Sequence, residues 1–477
     1  MFELPVHKFR ELTPIPKEYY TENRGRVING LKEHLGEKLK ASSYLLMKGH
    51  EWHMIRTDDD ASCDPECEPN FLFLFGIPYT WNLHGLINID TGKVTVVVKD
   101  LGEVDKIFHS GISIDSNPKE FNCDEIISED QLEKLLKDNC KGDLFLLKGK
   151  IRNNMAKQAN FDWLKDFPVE DVALYSVLCK VRTIKSKIEQ DIMREVVSIT
   201  CEGHKYLMQQ IKDGMGEHQI AELFKLRCGL AGTHKLAYDT IVGAGRNAAI
   251  LHYIVNSKVC KAGELVLCDV GVIGNGYCAD VTSTFPVNGK FDEKQKEIYN
   301  ICYRSQTESM AMVKPGITFH SIQLRSFEII VEELLKLGFL KDGTVDELMQ
   351  KRLYGLVMPH SLGHYLGMYT HDVGCCLHSD TDNCTVSTSL TTPTLILEEG
   401  MVVTVEPGVY FIRSIIEDIR ANPDKAKHVD FDKVEEFFYV GGVRIEDDVL
   451  VTADGYENLS PLPRTVDEIE AFMAGNN

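Results

Sequence analysis

The chain lacks the positive charge and the long apolar runs that mark several large classes of protein. Its 72 acidic residues outnumber 52 basic ones, which gives a formal net charge of -20 at pH 7. Nucleic acid and anionic membranes are therefore disfavoured as partners, because both repel an acidic surface. No stretch approaches the roughly 18 apolar residues of a membrane span. The opening sequence MFELPVHKFRELTPIP also lacks the apolar core of a secretory signal.

Cysteines with the spacing of a structural metal site are also missing. The 14 cysteines are irregularly distributed. Neither Cys63 with Cys67 nor the adjacent Cys375 and Cys376 has a matching zinc half-site. We interpret them as reduced thiols, which are typical of cytoplasmic proteins. Together with the missing signal sequence, this pattern predicts a cytoplasmic location.

Length and pattern predict two domains. The 477 residues, 43% hydrophobic and 26% charged, suit a globular chain with a large core. In residues 1–178, helical patterns alternate with strand-like runs at 43–47, 71–75, 85–90, 94–98 and 143–147. They predict a mixed α/β domain without a catalytic motif, which we expect to cover or dimerise the second domain. That domain, residues 179–477, begins with a long amphipathic helix from Lys187.

The stretch LCDVGVIGNGYCADVTSTF predicts a β-hairpin that carries two aspartates. Apolar runs flank a turn at residues 274–276, whose sequence GNG is typical of a hairpin turn. Folding at this turn brings Asp269 and Asp280 together among apolar neighbours. A buried pair of carboxylates is costly unless a cation, a buried base or a shared proton compensates it. A solvated pair on a surface hairpin is the alternative.

An internal repeat doubles this pair of carboxylates. Each half of the second domain reads helix, Lys-x-Gly turn, helix and strands. The first half contains GELVLCD, ending in Asp269, and the second contains GMVVTVE, ending in Glu406, so each acid follows a glycine by six residues. The next strand of each half carries Asp280 or Glu446. If the halves pack about a pseudo-twofold axis, four carboxylates converge, and divalent cations would allow them all to ionise.

Three histidine-containing motifs lie beside these strands. They are IVGAGRNAAILHY with His252, MPHSLGH with His360 and His364, and HDVG with His371. A lone histidine is more often structural, but three such motifs near acid-bearing strands favour a metal site. Imidazole suits a transition metal, whereas oxygen ligands alone suit magnesium or calcium. One histidine with four carboxylates therefore points to manganese, cobalt, iron or zinc.

Residues 182–460 resemble the pita-bread metallopeptidases, and the whole chain is similar to the prolidases, which are Xaa-Pro dipeptidases. The resemblance rests on LCDVG, ADVTSTFP, PHSLGHYLG, HDVG, TVEPGVY and GGVRIEDDVLVT, in family order, and on the tail PLPRTVDEIEAFMAG. It implies an α+β fold, in which a pita-bread catalytic domain with an internal pseudo-twofold repeat follows a smaller mixed α/β domain. It also implies a homodimer that acts on small Xaa-Pro peptides.

The resemblance further implies five metal ligands, which are Asp269, Asp280, His364, Glu406 and Glu446. They would hold two divalent ions per chain, manganese first and cobalt or zinc as alternatives, with a hydroxide between the ions as nucleophile. Glu406 is expected to accept and donate the proton. The substrate-side residues are His252, His360 and His371, and Arg444 is expected to steer the carboxylates.

Two features depart from the family pattern. Ser361 stands where the family usually has glycine, and a positive φ there would cost about 1 kcal/mol. Prolidases usually carry a carboxylate-binding arginine before the strand of Glu406, yet residues 374–400 contain no lysine or arginine. Either the anchor is lost, or another group has replaced it. The candidates are Arg413, Arg444, His252, His371 and an arginine of a partner subunit.

Three functions stay open at this point. The first is hydrolysis of Xaa-Pro dipeptides, and the second is an Xaa-Pro aminopeptidase activity on longer peptides. The third is a pita-bread protein that binds a partner without catalysis. Non-catalytic relatives generally lose metal ligands, whereas this chain keeps all five, which disfavours the hypothesis of a non-catalytic binding protein.

Overall fold

The structure is a computed structural model that describes residues 11–49, 68–77, 83–99, 112–151, 154–156, 158–233, 235–373 and 395–475. These residues group into two compact units. The first is built from residues 14–183, and the second from residues 184–372, 395–475 and the short segment 11–13. The candidate site residues named above all belong to the second unit.

The first unit contains a six-stranded mixed sheet with the strand order β4-β3-β2-β1-β5-β8. Its strands are β1 (Tyr44–Lys48), β2 (Leu83–Asn88), β3 (Val94–Val98), β4 (Glu125–Ser128), β5 (Leu144–Leu146) and β8 (Val169–Glu170), with β6 (Gly149–Ile151) and β7 (Asn154–Ala156) in a separate hairpin. Its helices are α1 (Lys17–Leu35), α2 (Pro69–Phe75), α3 (Glu129–Asn139) and α4 (Ala173–Thr183). The apolar face of α3 packs on the sheet through Leu132 and Leu136.

The strand predicted at residues 71–75 is wrong, because these residues form helix α2. The Glu68 carboxylate accepts a hydrogen bond of 2.7 Å from the backbone N–H of Phe71, and Pro69 begins the helix. Gly76 ends it in the left-handed conformation. These start and stop signals outweigh the β preference of the aromatic run between them.

The second unit contains four small sheets and nine described helices. Its helices are α5 (Lys187–Gln210), α6 (Glu217–Leu230), α7 (Glu293–Ala311), α8 (Phe319–Lys336), α9 (Val345–Gln350), α10 (Arg413–Arg420), α11 (Pro423–Ala426), α12 (Phe431–Phe437) and α13 (Val466–Met473). Its strands are β9 (Lys235–Leu236), β10 (Ile241–Ala244), β11 (Leu265–Asp269), β12 (Val272–Gly274), β13 (Tyr277–Cys278), β14 (Thr282–Pro286), β15 (Val402–Val405), β16 (Gly408–Tyr410), β17 (Gly442–Arg444), β18 (Asp447–Val451) and β19 (Tyr456–Asn458). The sheet orders are β10-β11-β14, β13-β12-β9, β15-β18-β19 and β16-β17.

The predicted hairpin is present but is divided between two sheets. Strands β12 and β13 are joined by Asn275 and Gly276, which have φ values of 52° and 82°, as a tight hairpin turn requires. Strands β11 and β14 pair separately, with Asp269 opposite Thr282. At the break, a Cβ on Gly271 would lie 1.9 Å from the Ala279 carbonyl oxygen, so only glycine allows this close approach.

The internal repeat is confirmed at the level of the backbone. The glycines that end the Lys-x-Gly turns, Gly214 and Gly316, have φ values of 85° and 88°. Those that precede the acid-bearing strands, Gly263 and Gly400, both have a φ of 87°. Each half also forms one isolated antiparallel bridge at the corresponding place, and these bridges are Gly216 with Val259 and Thr318 with Ile396.

Candidate metal centre

Four carboxylates lie at the ends of paired strands. Asp269 ends β11 and Glu406 directly follows β15, whereas Asp280 and Glu446 lie just before β14 and β18. Because β11 pairs with β14 and β15 with β18, each half of the repeat brings its two acids together. The halves meet at these acids through an antiparallel bridge between Thr282 and Glu446.

The four carboxylates and His364 form one cluster. Ligand atoms of Asp269, Asp280 and Glu446 lie within 4.8 Å of one another, and so do those of His364, Glu406 and Glu446. Glu446 belongs to both groups and connects them. Glu406 is the most accessible of the acids, with 18% of its side chain exposed, whereas the other three are buried. The cluster is therefore an acidic site that is mostly enclosed, and Glu406 is its most accessible carboxylate.

The imidazole of His364 is oriented by the backbone. Its Nδ1 lies 2.9 Å from the carbonyl oxygen of Tyr365, which can only accept, so Nδ1 carries a proton. Its Nε2 lies 3.2 Å from Asp280 Oδ2 and 3.6 Å from Glu406 Oε1. Burial acts to lower the pKa of His364, but the hydrogen bond to Asp280 and the charge of Glu406 raise it to about 9. Its Nε2 therefore points into the cluster, where a cation would take the place of the proton.

Burial and mutual repulsion disturb the pKa values of the carboxylates. Burial, reinforced by the charge of Asp280, raises the pKa of Glu406 to about 7 and that of Glu446 well above its usual range. Burial also raises the pKa of Asp269, although the Arg444 charge acts in the opposite direction. For Asp280 burial acts to raise the pKa, but His364 lowers it by its hydrogen bond and its charge. The four carboxylates of the cluster thus outnumber the cationic groups that contact them, Arg444 and His364.

The carboxylate oxygens and the His364 nitrogen of this cluster are suitable ligands for divalent metal ions. Asp269 Oδ1 is buried and lacks a hydrogen-bond partner within the described part of the chain, which is costly for a carboxylate oxygen unless a cation binds it. Oxygen ligands with one imidazole suit manganese, cobalt or zinc, and two divalent ions are a common solution for a carboxylate-rich site.

Arg444 lies inside the cluster rather than at its rim. Its Nη2 donates to Asp269 Oδ2 at 2.5 Å, and its Nε donates to the hydroxyl of Thr282 at 3.1 Å. Its Nη1 donates to the hydroxyl of Tyr410 at 2.9 Å, and this hydroxyl lies 3.0 Å from His360 Nε2. All three nitrogens of the guanidinium are therefore engaged by the protein.

The same chain of hydrogen bonds sets the tautomer of His360. Its Nδ1 lies 2.7 Å from the Ser361 carbonyl oxygen and so carries the proton, which leaves Nε2 to accept from the hydroxyl of Tyr410. Burial and the charge of Arg444 lower the pKa of His360 to about 4, which keeps the ring neutral. Ser361 is not among the described non-glycine residues with positive φ, so the strain considered for it is absent.

The other two histidines lie at accessible positions. His371 is exposed, and its ring centroid lies 4.2 Å from that of His364 in an edge-to-face arrangement. One of its ring nitrogens also lies within 4.8 Å of the potential ligand atoms of His364 and Asp280. His252 is exposed, and its charge contributes to the lowered pKa of His360, so the two rings lie close enough to interact.

Three polar partners of the cluster escaped the sequence analysis. The Tyr238 hydroxyl donates to Asp280 Oδ1 at 2.6 Å, and the Thr282 hydroxyl donates to Glu446 Oε2 at 2.6 Å. Tyr410 is the third, through its bonds to Arg444 and His360. Tyr410 and Thr282 lie within motifs that carry the family resemblance, which was an available signal, whereas Tyr238 has none.

Of the segment 374–400, where prolidases usually carry the carboxylate-binding arginine, residues 374–394 lie outside the described residues. The four cysteines considered for a zinc half-site also lie outside them. Arg413, one proposed replacement, donates through Nη1 and Nη2 to both carboxylate oxygens of Glu435, each at 2.8 Å. Like Arg444, this arginine is already paired within the protein.

Comparison with known proteins identifies a family and close structural relatives. The model of metallopeptidase family M24 matches residues 191–453. The chain is 34% identical to the Xaa-Pro dipeptidase of Mus musculus, over 98% of this chain and 95% of the relative. It is 32% identical to a probable Xaa-Pro aminopeptidase of Talaromyces marneffei, over 94% and 96%. Aminopeptidase P from Escherichia coli, solved with the inhibitor Pro-Leu, superposes with a TM-score of 0.78 at 26% identity, covering 97% of this chain and 99% of the relative.

These similarities confirm the predicted resemblance and the pita-bread fold that follows a smaller N-terminal domain. Among the described helices, none combines the length and the apolarity that crossing a bilayer requires.

Proposed function

Because the chain belongs to metallopeptidase family M24, we propose that it hydrolyses the Xaa-Pro bond of dipeptides with two divalent metal ions. The observation that carries this proposal is the convergence of four carboxylates and one histidine within one buried cluster. Residues 1–178 would cover the catalytic domain, which residues 179–477 form, or mediate its dimerisation. Manganese, a homodimer and a cytoplasmic location belong to the same proposal.

The residues that would hold the metals are those of the cluster. Asp269 would bind one ion, and His364 and Glu406 the other. Asp280 and Glu446 would bridge the two, which agrees with the position of Glu446 in both groups of potential ligands. When bound, the ions lower the pKa of water and offset the negative charge that develops on the scissile carbonyl oxygen.

The proton transfers would use Glu406. Its side chain is the most accessible of the four acids, so it can reach both the attacking water and the departing proline nitrogen. Arg444 would hold Asp269 in place, since their side chains form a buried ion pair at 2.5 Å. This ion pair leaves Asp269 Oδ1 available to a metal.

The three remaining histidines would act on the substrate. His371 and His252 are exposed beside the cluster and can bind or polarise a peptide. His360 is neutral, and its Nε2 already accepts from Tyr410. A hydrogen bond from His360 to the scissile carbonyl would therefore need a proton on Nε2 as well as a turn of the Tyr410 hydroxyl away from it.

A second candidate, an Xaa-Pro aminopeptidase activity on longer peptides, is favoured by the pairing of the arginines. A dipeptidase must recognise a free C-terminal carboxylate, for which a bidentate arginine is well suited. Arg444 is engaged with Asp269, and Arg413 with Glu435. Xaa-Pro aminopeptidases are also about as similar to this chain as the dipeptidases are.

The decisive experiment supplies purified protein and manganese with Gly-Pro, Ala-Pro, Ala-Pro-amide and a longer Xaa-Pro peptide. Dipeptidase activity predicts cleavage of Ala-Pro in preference to the longer peptide. A strong carboxylate anchor predicts a low KM for Ala-Pro and almost no cleavage of the amide. Similar rates on Ala-Pro and its amide would mean that the anchor is lost and would favour the aminopeptidase. No cleavage of any of these peptides would refute both functions.

A further inference from the structure

A second buried carboxylate, outside the metal cluster, organises the loop that carries His252. Glu217 is the first residue of α6 and is completely buried, with 0% exposure. Among the described residues, no lysine or arginine forms an ion pair with it. A buried carboxylate without a cation needs several hydrogen-bond donors to be stable.

Four donors meet this carboxylate, and all come from residues 244–258. Oε1 accepts from the backbone N–H of Ala244 at 2.8 Å and from the side-chain amide of Asn247 at 2.9 Å. Oε2 accepts from the backbone N–H of Lys258 at 2.8 Å and from the hydroxyl of Tyr253 at 2.9 Å. Each oxygen therefore takes one backbone and one side-chain donor, and the two backbone donors are the two ends of the loop.

The backbone of Glu217 reinforces this connection. Its N–H donates to the Lys258 carbonyl at 2.8 Å, and the preceding residue, Gly216, forms an antiparallel bridge with Val259. The N-terminus of α6 adds a favourable dipole for the negative charge. The loop is thus held at both ends by a single side chain on a rigid helix.

His252 lies within this loop, next to the anchored Tyr253. Tyr253 is 8% exposed and packs in an apolar cluster that includes Tyr410, while His252 is exposed. Tyr410 contacts His360 through its hydroxyl, and His252 lies near enough to His360 to contribute to the lowering of its pKa. A shift of Tyr253 would therefore move His252 relative to the other substrate-side groups.

We infer that Glu217 is a positioning residue, which holds the loop of residues 244–258 so that His252 meets the substrate. The inference rests on the proposed function, because it takes His252 as a substrate-side residue. Glu217 itself would touch neither metal nor substrate.

The sharpest variant is Glu217→Gln, which keeps the shape of the side chain. An amide has one accepting oxygen, and its nitrogen is a donor. Because each carboxylate oxygen receives one backbone N–H, either orientation of the glutamine turns its NH₂ toward a backbone N–H. Ala244 or Lys258 must then move. The matched control is Glu222→Gln on the same helix, where the carboxylate is 68% exposed and pairs with Lys225. Tyr253→Phe is a milder second variant, since it removes one donor to Glu217 and the acceptor of the Ser257 N–H but leaves the apolar packing.

The first measurement is hydrogen exchange of the metal-loaded protein without substrate. We expect faster exchange across residues 244–258 in Glu217→Gln, a smaller increase in Tyr253→Phe, and the wild-type pattern in Glu222→Gln. Unchanged exchange in both loop variants would overturn the inference. If Glu217→Gln does not fold, the result from Tyr253→Phe decides.

The second measurement is a double-mutant cycle on kcat/KM for Ala-Pro. We expect Glu217→Gln to lower kcat/KM by about 10–100-fold, since small misplacements of this kind cost up to about 10²-fold. The loss should largely disappear when His252 is already replaced by alanine, and metal content should not change. Equal losses in both backgrounds would overturn the inference, because Glu217 would not act through His252. A wild-type protein that cleaves no Xaa-Pro peptide would refute the proposed function instead, and exchange alone would then decide the role of Glu217.

Discussion

Replacement of Arg444 by methionine tests whether this residue and the metals neutralise the same carboxylate. The Arg444 side chain is 4% exposed and that of Asp269 is 11% exposed, so the ion pair between them is poorly screened by water. Removing one partner of a buried pair costs about 3–5 kcal/mol, mostly because the remaining charge is left uncompensated. Without metal, the variant should therefore lose several kcal/mol of stability, less whatever Asp269 recovers by taking up a proton.

With metal the cost should be much smaller. An ion bound to Asp269 would compensate the charge that Arg444 leaves behind, so the metal-loaded variant loses hydrogen bonds but no counter-charge. We expect thermal unfolding in a chelator to show a decrease of about 5–10 °C in Tm, at about 2 °C per kcal/mol. Saturating manganese should remove about half of this decrease or more.

Arg413→Met provides the control for this experiment. Arg413 pairs with Glu435 at the surface, where the two side chains are 43% and 52% exposed. Such exposed pairs contribute at most about 1 kcal/mol, and this one lies outside the cluster, so manganese should not affect its cost. The reasoning would be refuted if Arg444→Met were as mild as the control, or if it were equally destabilising with and without manganese.

The other predictions concern the proposed metal ligands, the histidines proposed to act on the substrate, and a buried histidine. Asp269→Asn should reduce bound metal and abolish hydrolysis at unchanged circular dichroism, and full activity at unchanged metal content would contradict the site. His364→Ala should lose metal, whereas His360→Ala and His371→Ala should keep it and lower kcat/KM by about 10²–10³-fold; equal metal loss in all three would disprove this division of roles. Burial lowers the pKa of His204 from about 6.5 in the unfolded chain to about 3 in the folded protein. The unfolded chain therefore takes up a proton first, and the free energy of unfolding decreases as the pH falls from about 6.5 toward 3. At pH 5 the decrease should amount to about 2 kcal/mol relative to neutral pH, and urea unfolding of His204→Gln should show a correspondingly weaker pH dependence.

Much of the cluster could be predicted because its acids have local signals. Asp269 and Glu406 each end an apolar run that begins six residues earlier at a glycine, and both glycines have the same left-handed conformation. That conformation excludes most other residues, so the repeat leaves a trace in the sequence. Asp280 follows from the hairpin turn, which the flanking apolar runs and the Asn-Gly pair indicate directly.

The partners of these acids could not be predicted in the same way. Arg444 pairs with Asp269 across 175 positions of sequence, and Tyr238 reaches Asp280 across 42 positions. Neither contact follows from a periodic pattern, because each joins segments that only the tertiary fold brings together. The strand prediction at residues 71–75 is wrong for the opposite reason, because here the local signals were sufficient. Glu68 and Gly76 cap the two ends of helix α2, and they indicate a helix more strongly than the aromatic run indicates a strand.

The charge of the cluster argues for two divalent ions rather than one. Four carboxylates and the guanidinium of Arg444 leave three negative charges when His364 is neutral. One divalent ion would reduce this to a single negative charge, and the site would still repel the oxyanion formed when water attacks a peptide carbonyl. A second ion would reverse the sign and leave one positive charge, which would complement that oxyanion. We therefore expect activity to follow occupancy of the second, weaker metal position, and a titration in which full activity appears with one ion per chain would contradict this argument.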